Sequence, residues 1–399
     1  MGVSGSLATL DARLVGTLLE TWRDLHQHPE LAFQEVRTAG IVAERLRGLG
    51  LQDVREGVAE TGVTATLRGG RPGPTLLLRA EMDALPITED TGLPYASRTD
   101  GVMHACGHDA HTAILLTVLE ALAAARDDLP GIVRVAFQPA EEIGAGAARM
   151  VEAGVMDDPP VDGVLALHMH AHIPTGVIGI PPGAAAASAA EIEIEIAGKG
   201  GHSAFPNELI DPVLTSAHVI TALDALVARE VSPLQRAVLT IATVQAEGAF
   251  NIVPDTVRLT GTIRAESLDL HERLSARAEE ITRQIAAAFR CTAGFEHRPF
   301  CPPVINHPDM VEIAREAAAE VVGGHDVVPA SPVMAADDLA FFTERAPGCY
   351  LFVGIAPTDG RPEAPHHNRR FAVDERSVEL GGRTLLATAL RFLGRDDPP

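Results

Sequence analysis

Cysteine is scarce in this chain: there are four among 399 residues, Cys106, Cys291, Cys301 and Cys349, with no closely spaced pair. That argues against a disulfide framework and against a zinc ribbon, and it suits a reducing compartment. Aromatic residues make up only 4%, and basic residues are outnumbered, 32 Lys and Arg against 54 Asp and Glu, giving a formal charge of −22. Such a surface repels phosphate backbones and anionic lipid, so neither nucleic acid nor a membrane is expected as a partner. Long apolar runs are lacking too: none reaches the roughly eighteen residues that span a bilayer. The opening MGVSGSLATLDARLVG has no basic segment ahead of an apolar run, so no export signal is expected and the location read is cytoplasmic.

Hydrophobic residues, by contrast, make up 46% of a chain longer than one average domain, and two domains are expected. Short apolar runs end abruptly in polar chemistry. TLLLRA (75–80) leads into Glu81 and Asp83, IVRVAFQ (132–138) leads into Glu141 and Glu142, and GVLALHMH (163–170) carries His168 near its end. Continuous apolar runs bounded by breakers suit strands buried on both faces. Between them lie helical stretches such as 109–125, which Asp109 is placed to cap. Strands alternating with helices predict an α/β domain with a mostly parallel sheet, whose ligands gather outside the carboxyl ends of the strands.

Residues 185–298 read differently. EIEIEI (191–196) alternates strictly, so Ile192, Ile194 and Ile196 face a core while the glutamates face water. Asp211-Pro212 opens a helix with Val213, Ile220 and Val227 along one face. Strands follow at 237–245 and 256–264, then a helix striped by Leu270, Leu274, Ile281 and Ile285, then a short strand within 294–300. This βαββαβ order is that of a small α+β domain. It is inserted, because CYLFVGI (349–355) returns to the buried-strand style. The expected division is 1–184 with 299–399 for the first domain and 185–298 for the second, with AAAAS (184–188) as a hinge.

One stretch stands out chemically. HACGHDAH (104–111) holds His104, Cys106, His108, Asp109 and His111 within eight residues. A lone histidine or cysteine is ordinarily a packing residue, but this density suits a metal site, since transition metals accept thiolate, imidazole and carboxylate together. Cys106 and His108, two apart, can converge from a loop, whereas His111 either joins them or packs behind. Further donors are Glu141 and Glu142, His168, and either His366 or His367 in APHHNRRF (364–371).

RAEMDALPI (79–87), GVMHACGHDAHTA (101–113), QPAEEIGAGA (138–147), LALHMHAHIPTG (165–176), GKGGHSAFP (198–206), NIVPD (251–255), GTIR (261–264) and HNRRFAVDE (367–375) follow one another along the chain. Together with DLHQHPELAFQE (24–35), they resemble the motifs of the aminoacylase-like branch of the dinuclear-metal peptidase and amidohydrolase superfamily. That branch holds amino-acid N-acylases, hippurate hydrolases and auxin-conjugate hydrolases. The resemblance implies a dinuclear-metal catalytic α/β domain with an inserted lid and dimerisation domain. It also implies Cys106, His108, Glu142, His168 and His367 as ligands of two divalent metals, Mn²⁺ or Zn²⁺ with Co²⁺ also allowed, and Glu141 as catalytic base. His367 is preferred to His366 because it stands four residues before an aromatic, Phe371. Two departures stand out: Glu81 occupies a usual Asp position, and Asp337-Asp338-Leu339 replaces a usual Glu-Asp-Phe.

Two divalent metals in such a site would acidify a shared water and polarise an amide carbonyl, while Glu141 takes the water's proton and passes it to the leaving nitrogen. Asp83 is read as orienting a ligand. Arg264, as a forked donor, and Asn251 are read as binding the carboxylate of the substrate. His202 is read as a hydrogen-bond donor to the oxyanion, delivered across a homodimer joined through the lids. The reaction expected is hydrolysis of an N-acyl amino acid or small conjugate. The rivals are a metallo-dipeptidase or carboxypeptidase, and a metal-binding protein without catalysis.

Overall fold

The computed structural model describes residues 10–360 and 362–395, so the first nine residues of the opening read for an export signal lie outside the described residues. Among the described residues no helix is long and apolar enough to cross a membrane. By their internal contacts the residues form two compact units. One runs to Ala185 and takes in Ile305–Ser331 and the chain from Asp338, and the other is Ala186–Val304 with Pro332–Asp337. The parting falls within the stretch read as a hinge. Residues 299–304 and Pro332–Asp337 had been assigned by sequence to the first domain and cluster with the second, while Ala185 clusters with the first.

The first unit begins with helix α1 (Ala12–Gln27), capped by Asp11, whose carboxylate accepts the Leu14 N–H. Its buried Leu14, Leu18, Trp22 and Leu25 recur at helical spacing. There follow α2 (Val36–Gly48), β1 (Gln52–Val58), β2 (Gly62–Arg68), β3 (Arg71–Glu81), α3 (His108–Ala124), β4 (Pro130–Gln138), α4 (Gly146–Glu152), β5 (Gly163–Pro174) and the two-residue β6 (Ile178–Gly179).

The chain then lays down the second unit. Its elements are β7 (Ser188–Ala197), β8 (Gly201–His202), α5 (Pro212–Glu230), β9 (Ala237–Ala246), β10 (Ile252–Val253), β11 (Thr256–Ala265), α6 (Leu268–Ala288) and β12 (Thr292–Cys301). The four long strands form one antiparallel sheet in the order β9-β11-β7-β12. Ile192, Ile194 and Ile196 are fully buried, as alternation required, and on the other face Arg298 pairs with Glu191, Glu193 and Glu296. Asp211 caps α5 through the Val213 and Leu214 N–H groups. The stripe expected on that helix is displaced: Val213 is exposed, Ile220 and Val227 are only partly buried, and Val219, Leu223 and Leu226 carry the core. Position 213 lies in the first turn, where the capping bond fixes the backbone and turns the side chain outward. The last strand, read as a short piece within 294–300, is a full ten residues.

Returning to the first unit, the chain adds α7 (Pro308–Val322), β13 (Val327–Val328), β14 (Gly348–Ala356) and α8 (Glu375–Leu393). Its eight-stranded sheet has the order β1-β2-β4-β3-β5-β14-β6-β13. The central four strands run parallel, and antiparallel pairs flank them. The fold is therefore α/β with a large, mostly parallel central sheet, and α3 and α8 help bury it. Helix α3 is buried nearly all round, with only Glu120, Ala123 and Ala124 in its last turns reaching toward the surface.

Candidate metal centre

The polar clusters gather where β3 and β4 run out, beside His168 midway along β5, which the sequence reading had placed near its strand's end. Cys106 and His108 flank Gly107, whose φ of 96° swings the chain sharply into α3. A side chain there would press on Met169, whose Cβ lies 3.1 Å from where the new atom would fall. The expected cap by Asp109 is not formed. Gly107 occupies the cap position, and Asp109, inside the first turn, accepts the His26 Nδ1–H at 2.7 Å.

Both partners of that ion pair are buried. Burial would lower the His26 imidazole, but hydrogen bonds to Asp109 and Glu89 raise it to about 10. Burial would raise the Asp109 carboxyl, but His104 and His26 bring it to about 2. His26→Ala leaves Asp109 buried without its cation and is expected to cost about 3–5 kcal/mol of stability, read as a fall in Tm. The sign of the pH dependence follows from the raised folded pKa of His26. Its contribution is fully present below about 6.5 and is lost as pH rises through about 10, so the gap between parent and variant closes toward alkaline pH.

His108 and His168 are oriented alike. His108 Nδ1 donates to the Asp83 carbonyl at 2.9 Å, with Asp83 Oδ1 at 3.3 Å, and His168 Nδ1 donates to the Met169 carbonyl at 2.7 Å. In each ring the bonded Nδ1 carries the proton and Nε2 presents its lone pair. His108 Nε2 is buried and makes no hydrogen bond; Glu141 Oε2 lies 3.8 Å away and Glu142 Oε1, equally unbonded, 4.0 Å away. His168 Nε2 lies 3.5 Å from Cys106 Sγ. Burial would lower His108, but Asp83, Glu81 and Glu142 raise it to about 10, so without a metal Nε2 carries a proton, and the lone pair it offers is the one a bound cation would expose by displacing that proton. Burial pushes the Glu142 carboxyl up to about 7 against the lowering pull of His108, and the Asp83 carboxylate adds to the rise. Two lone pairs, a thiol and crowded carboxylates with orphaned buried atoms facing one another are the donor set of a divalent cation.

The two candidate histidines at 366 and 367 separate by their hydrogen bonds. His366 Nε2 accepts the Ala171 N–H at 3.2 Å, which leaves the proton on Nδ1, 3.9 Å from Cys106 Sγ. That ring is a donor toward the thiol. His367, at a φ of 59°, is held by its N–H to Ala105 and brings Nε2 to 3.3 Å from Glu142 Oε2. Cys106, Glu142 and His367 thus offer ligand atoms within 4.8 Å of one another, as do His108, Glu141 and Glu142.

Residues 140–147, which carry Glu141 and Glu142, are fixed by three carboxylates. Glu35 accepts the Ala140 N–H at 2.9 Å, Asp83 Oδ2 the Glu142 N–H at 2.9 Å, and Asp338 Oδ2 the Ala147 N–H at 3.0 Å. Gly146 is required here, since an added Cβ would fall 1.7 Å from the Pro139 carbonyl oxygen. Sequence reasoning gave Glu35 no role, although it ends the quoted DLHQHPELAFQE stretch. Glu81, one of the departures, and Asp338, which neighbours the departing Asp337, belong to one buried network. Arg79 Nη1 donates to Glu81, its Nη2 to Asp338 at 3.1 Å and its Nε to Gln138 at 2.8 Å. Burial would raise Glu81, but Arg79 and His111 hold it well below the usual carboxylate range.

His111 donates through Nδ1 to Glu81 at 2.8 Å and accepts the Met169 N–H through Nε2 at 2.9 Å. Both its nitrogens are spent, so it packs behind the site and presents no lone pair to a metal. His104 stands outside these groups: it is buried, and burial lowers it to about 4.

The remaining residues lie in the second unit. His202 pairs with Ile252 across β8 and β10, and the Ser203 N–H donates to the Asn251 carbonyl at 3.0 Å, so His202 and Asn251 are neighbours. The exposed His202 accepts the Ala204 N–H at Nδ1, which puts its proton on Nε2 as a donor. Arg264 lies on a different sheet, beside Ala189 on β7, and its Nη1 donates to the Met334 carbonyl at 3.1 Å.

Imidazoles, a thiol and paired carboxylates at the carboxyl ends of a parallel sheet define a hydrolase that holds two divalent metals. The profile of peptidase family M20/M25/M40 matches residues 77–391, and the chain belongs to that family. It is 37% identical over 392 residues to the N-acetyl-L-cysteine deacetylase of Bacillus subtilis (strain 168), covering 98% of this chain and 91% of that one. It is 36% identical over 384 residues to thermostable carboxypeptidase 1 of Saccharolobus solfataricus, covering 94% and 95%. The crystal structure of the Bacillus subtilis YXEP protein, described as a dinuclear metal binding peptidase of the M20 family, superposes with a TM-score of 0.84 at 34% identity, covering 96% of this chain and 99% of that one.

Proposed function

We propose that the chain is an amidohydrolase that cleaves N-acyl amino acids or similar small conjugates to a carboxylic acid and a free amino acid. The observation that carries this reading is the placement of Glu141 beside the ligand groups, with its oxygen 3.8 Å from the lone-pair nitrogen of His108. Cys106, His108, Glu142, His168 and His367 would hold the two divalent metals, which when bound supply an acidified water and a polarised carbonyl. Glu141 takes the proton from the water and returns it to the leaving nitrogen. Asp83 holds His108 and the Glu142 backbone in place. Arg264 and Asn251 are assigned to the substrate carboxylate and His202 to the oxyanion, with the second unit acting as lid and dimerisation domain of a homodimer. The thiol ligand favours zinc, while manganese and cobalt remain compatible with the nitrogen and oxygen donors. The free thiol that a Cys106 ligand requires suits a reducing compartment, and the cytoplasm is the location we assign.

The test is a panel of N-acyl amino acids against dipeptides, run with added Mn²⁺ or Zn²⁺. Turnover of acylated amino acids above dipeptides supports the reading. The reverse preference would move it to the dipeptidase or carboxypeptidase alternative, which the carboxypeptidase relative favours.

Cys106→Ser is expected to weaken metal binding by about tenfold or more, because a hydroxyl is a far poorer anionic donor at neutral pH. Thiol reagents should inactivate the parent, and bound metals should protect it. If the serine variant retains two metals with unchanged affinity, Cys106 is a packing residue.

A further inference from the structure

His111, the last histidine of the HACGHDAH stretch, is given no task by the metal centre. It is buried in the first turn of α3, and both its ring nitrogens are hydrogen-bonded. A buried histidine so satisfied is ordinarily a packing residue. The groups at the far ends of its two bonds set this one apart.

Strand β5 lies between β3 and β14. Its ladder with β14 continues past Met169, which sits beside Val353. Its ladder with β3 ends three residues earlier, where Arg79 lies beside Ala166. Beyond that point β3 offers no acceptor for the backbone of β5, yet a buried N–H needs one. Met169 is fully buried, and its N–H finds His111 Nε2 at 2.9 Å. The imidazole takes the place of a neighbouring strand. The carbonyl of the same Met169 accepts the His168 Nδ1–H at 2.7 Å, so one residue of backbone joins His111 to His168.

His111 can accept at Nε2 only while its proton sits on Nδ1. That proton is directed at Glu81, 2.8 Å away, and the other oxygen of Glu81 pairs with Arg79. An ionised carboxylate accepts and does not donate, which fixes the tautomer of the ring. Arg79, Glu81, His111, the Met169 backbone and His168 therefore follow one another in a single buried chain of polar contacts.

We propose that His111 is a positioning residue for the metal centre: by holding the Met169 backbone it fixes the carbonyl that aims His168, and with it the direction in which His168 Nε2 meets a metal. This rests on the two-metal reading above, in which His168 is a ligand.

The test separates the two bonds of the ring. At position 111 a glutamine carries its amide oxygen near the place of Nε2 and keeps an acceptor for Met169, whereas an asparagine reaches only the place of Nδ1 and keeps the donor toward Glu81. The full chain, stripped of metal, is titrated with Co²⁺ against a competing chelator, and hydrogen exchange of the Met169 amide is followed in the metal-free protein. His111→Asn is expected to weaken at least one of the two cobalt ions by about tenfold or more, the scale of partners standing behind a ligand, and to speed exchange at Met169. His111→Gln should stay near the parent in both measurements. Equal affinities in all three proteins overturn the proposal. So do equal losses in both variants, which make His111 a packing residue, and a loss in His111→Gln alone, which routes its effect through Glu81. Weakened cobalt binding with Met169 still protected overturns it too, because the backbone is then not the link. A parent that binds fewer than two cobalt ions brings down the two-metal reading itself, and that outcome is seen without either variant.

Discussion

Glu141→Gln leaves a protein that binds two metals and barely turns over, with kcat reduced by about 10²–10⁴, the range a general base supplies. The amide keeps the shape of the side chain and removes its ability to accept a proton. Because Glu141 stands beside His108 Nε2 at 3.8 Å, the metals should stay while the proton carrier is lost. The measurement pairs kcat and KM with metal content by elemental analysis. A fall in kcat with KM little changed and two metals retained is the expected pattern. Near-parental turnover with metals bound would falsify the assignment, and if the parent shows no turnover on any amide the non-catalytic alternative stands.

His202→Ala is expected to lose about 3 kcal/mol of transition-state stabilisation, or roughly a hundredfold in kcat, the scale of one oxyanion donor. The bond from Ala204 to its Nδ1 leaves Nε2–H as the donating group on an exposed ring. The homodimer reading makes a sharper statement. Co-expressing His202→Ala with Glu141→Gln should restore activity in mixed dimers, because one centre then combines an intact Glu141 with an intact His202 from the partner. Isolated mixed dimers that stay inactive, while His202→Ala alone keeps its metals and its Tm, would show that His202 acts within its own chain or not at all.

Much of this was legible from local pattern. Strand alternation in EIEIEI and the buried runs ahead of Glu81, Glu141 and His168 need only period and punctuation, and both survive folding. The density of donors in HACGHDAH marked a metal site, but spacing alone did not sort its members. Asp109 was read as a cap because its position suited one, whereas burial beside His26 gives it an ion pair instead. His366 and His367 are neighbours in sequence, and the partners of their ring nitrogens tell them apart: Ala171 for one and Glu142 for the other. The departure at Glu81 was equally opaque, since the partner Arg79 that it shares with Asp338 is identified only once segments distant in sequence lie side by side. What local reading misses is the identity of long-range polar partners, because each buried polar group must find one and the sequence does not say where.

The three carboxylates that grip residues 140–147 come from the entry to α2, from the end of β3 and from the segment ahead of β14. The loop bearing Glu141 therefore has its shape only when early, middle and late parts of the first unit are all in place. Activity should behave as an all-or-none reporter of assembly: truncated or nicked chains lacking any one of these anchors would be inert rather than partly active. Directed changes of substrate preference are then poorly aimed at this loop, where a shifted residue disturbs three distant attachments at once.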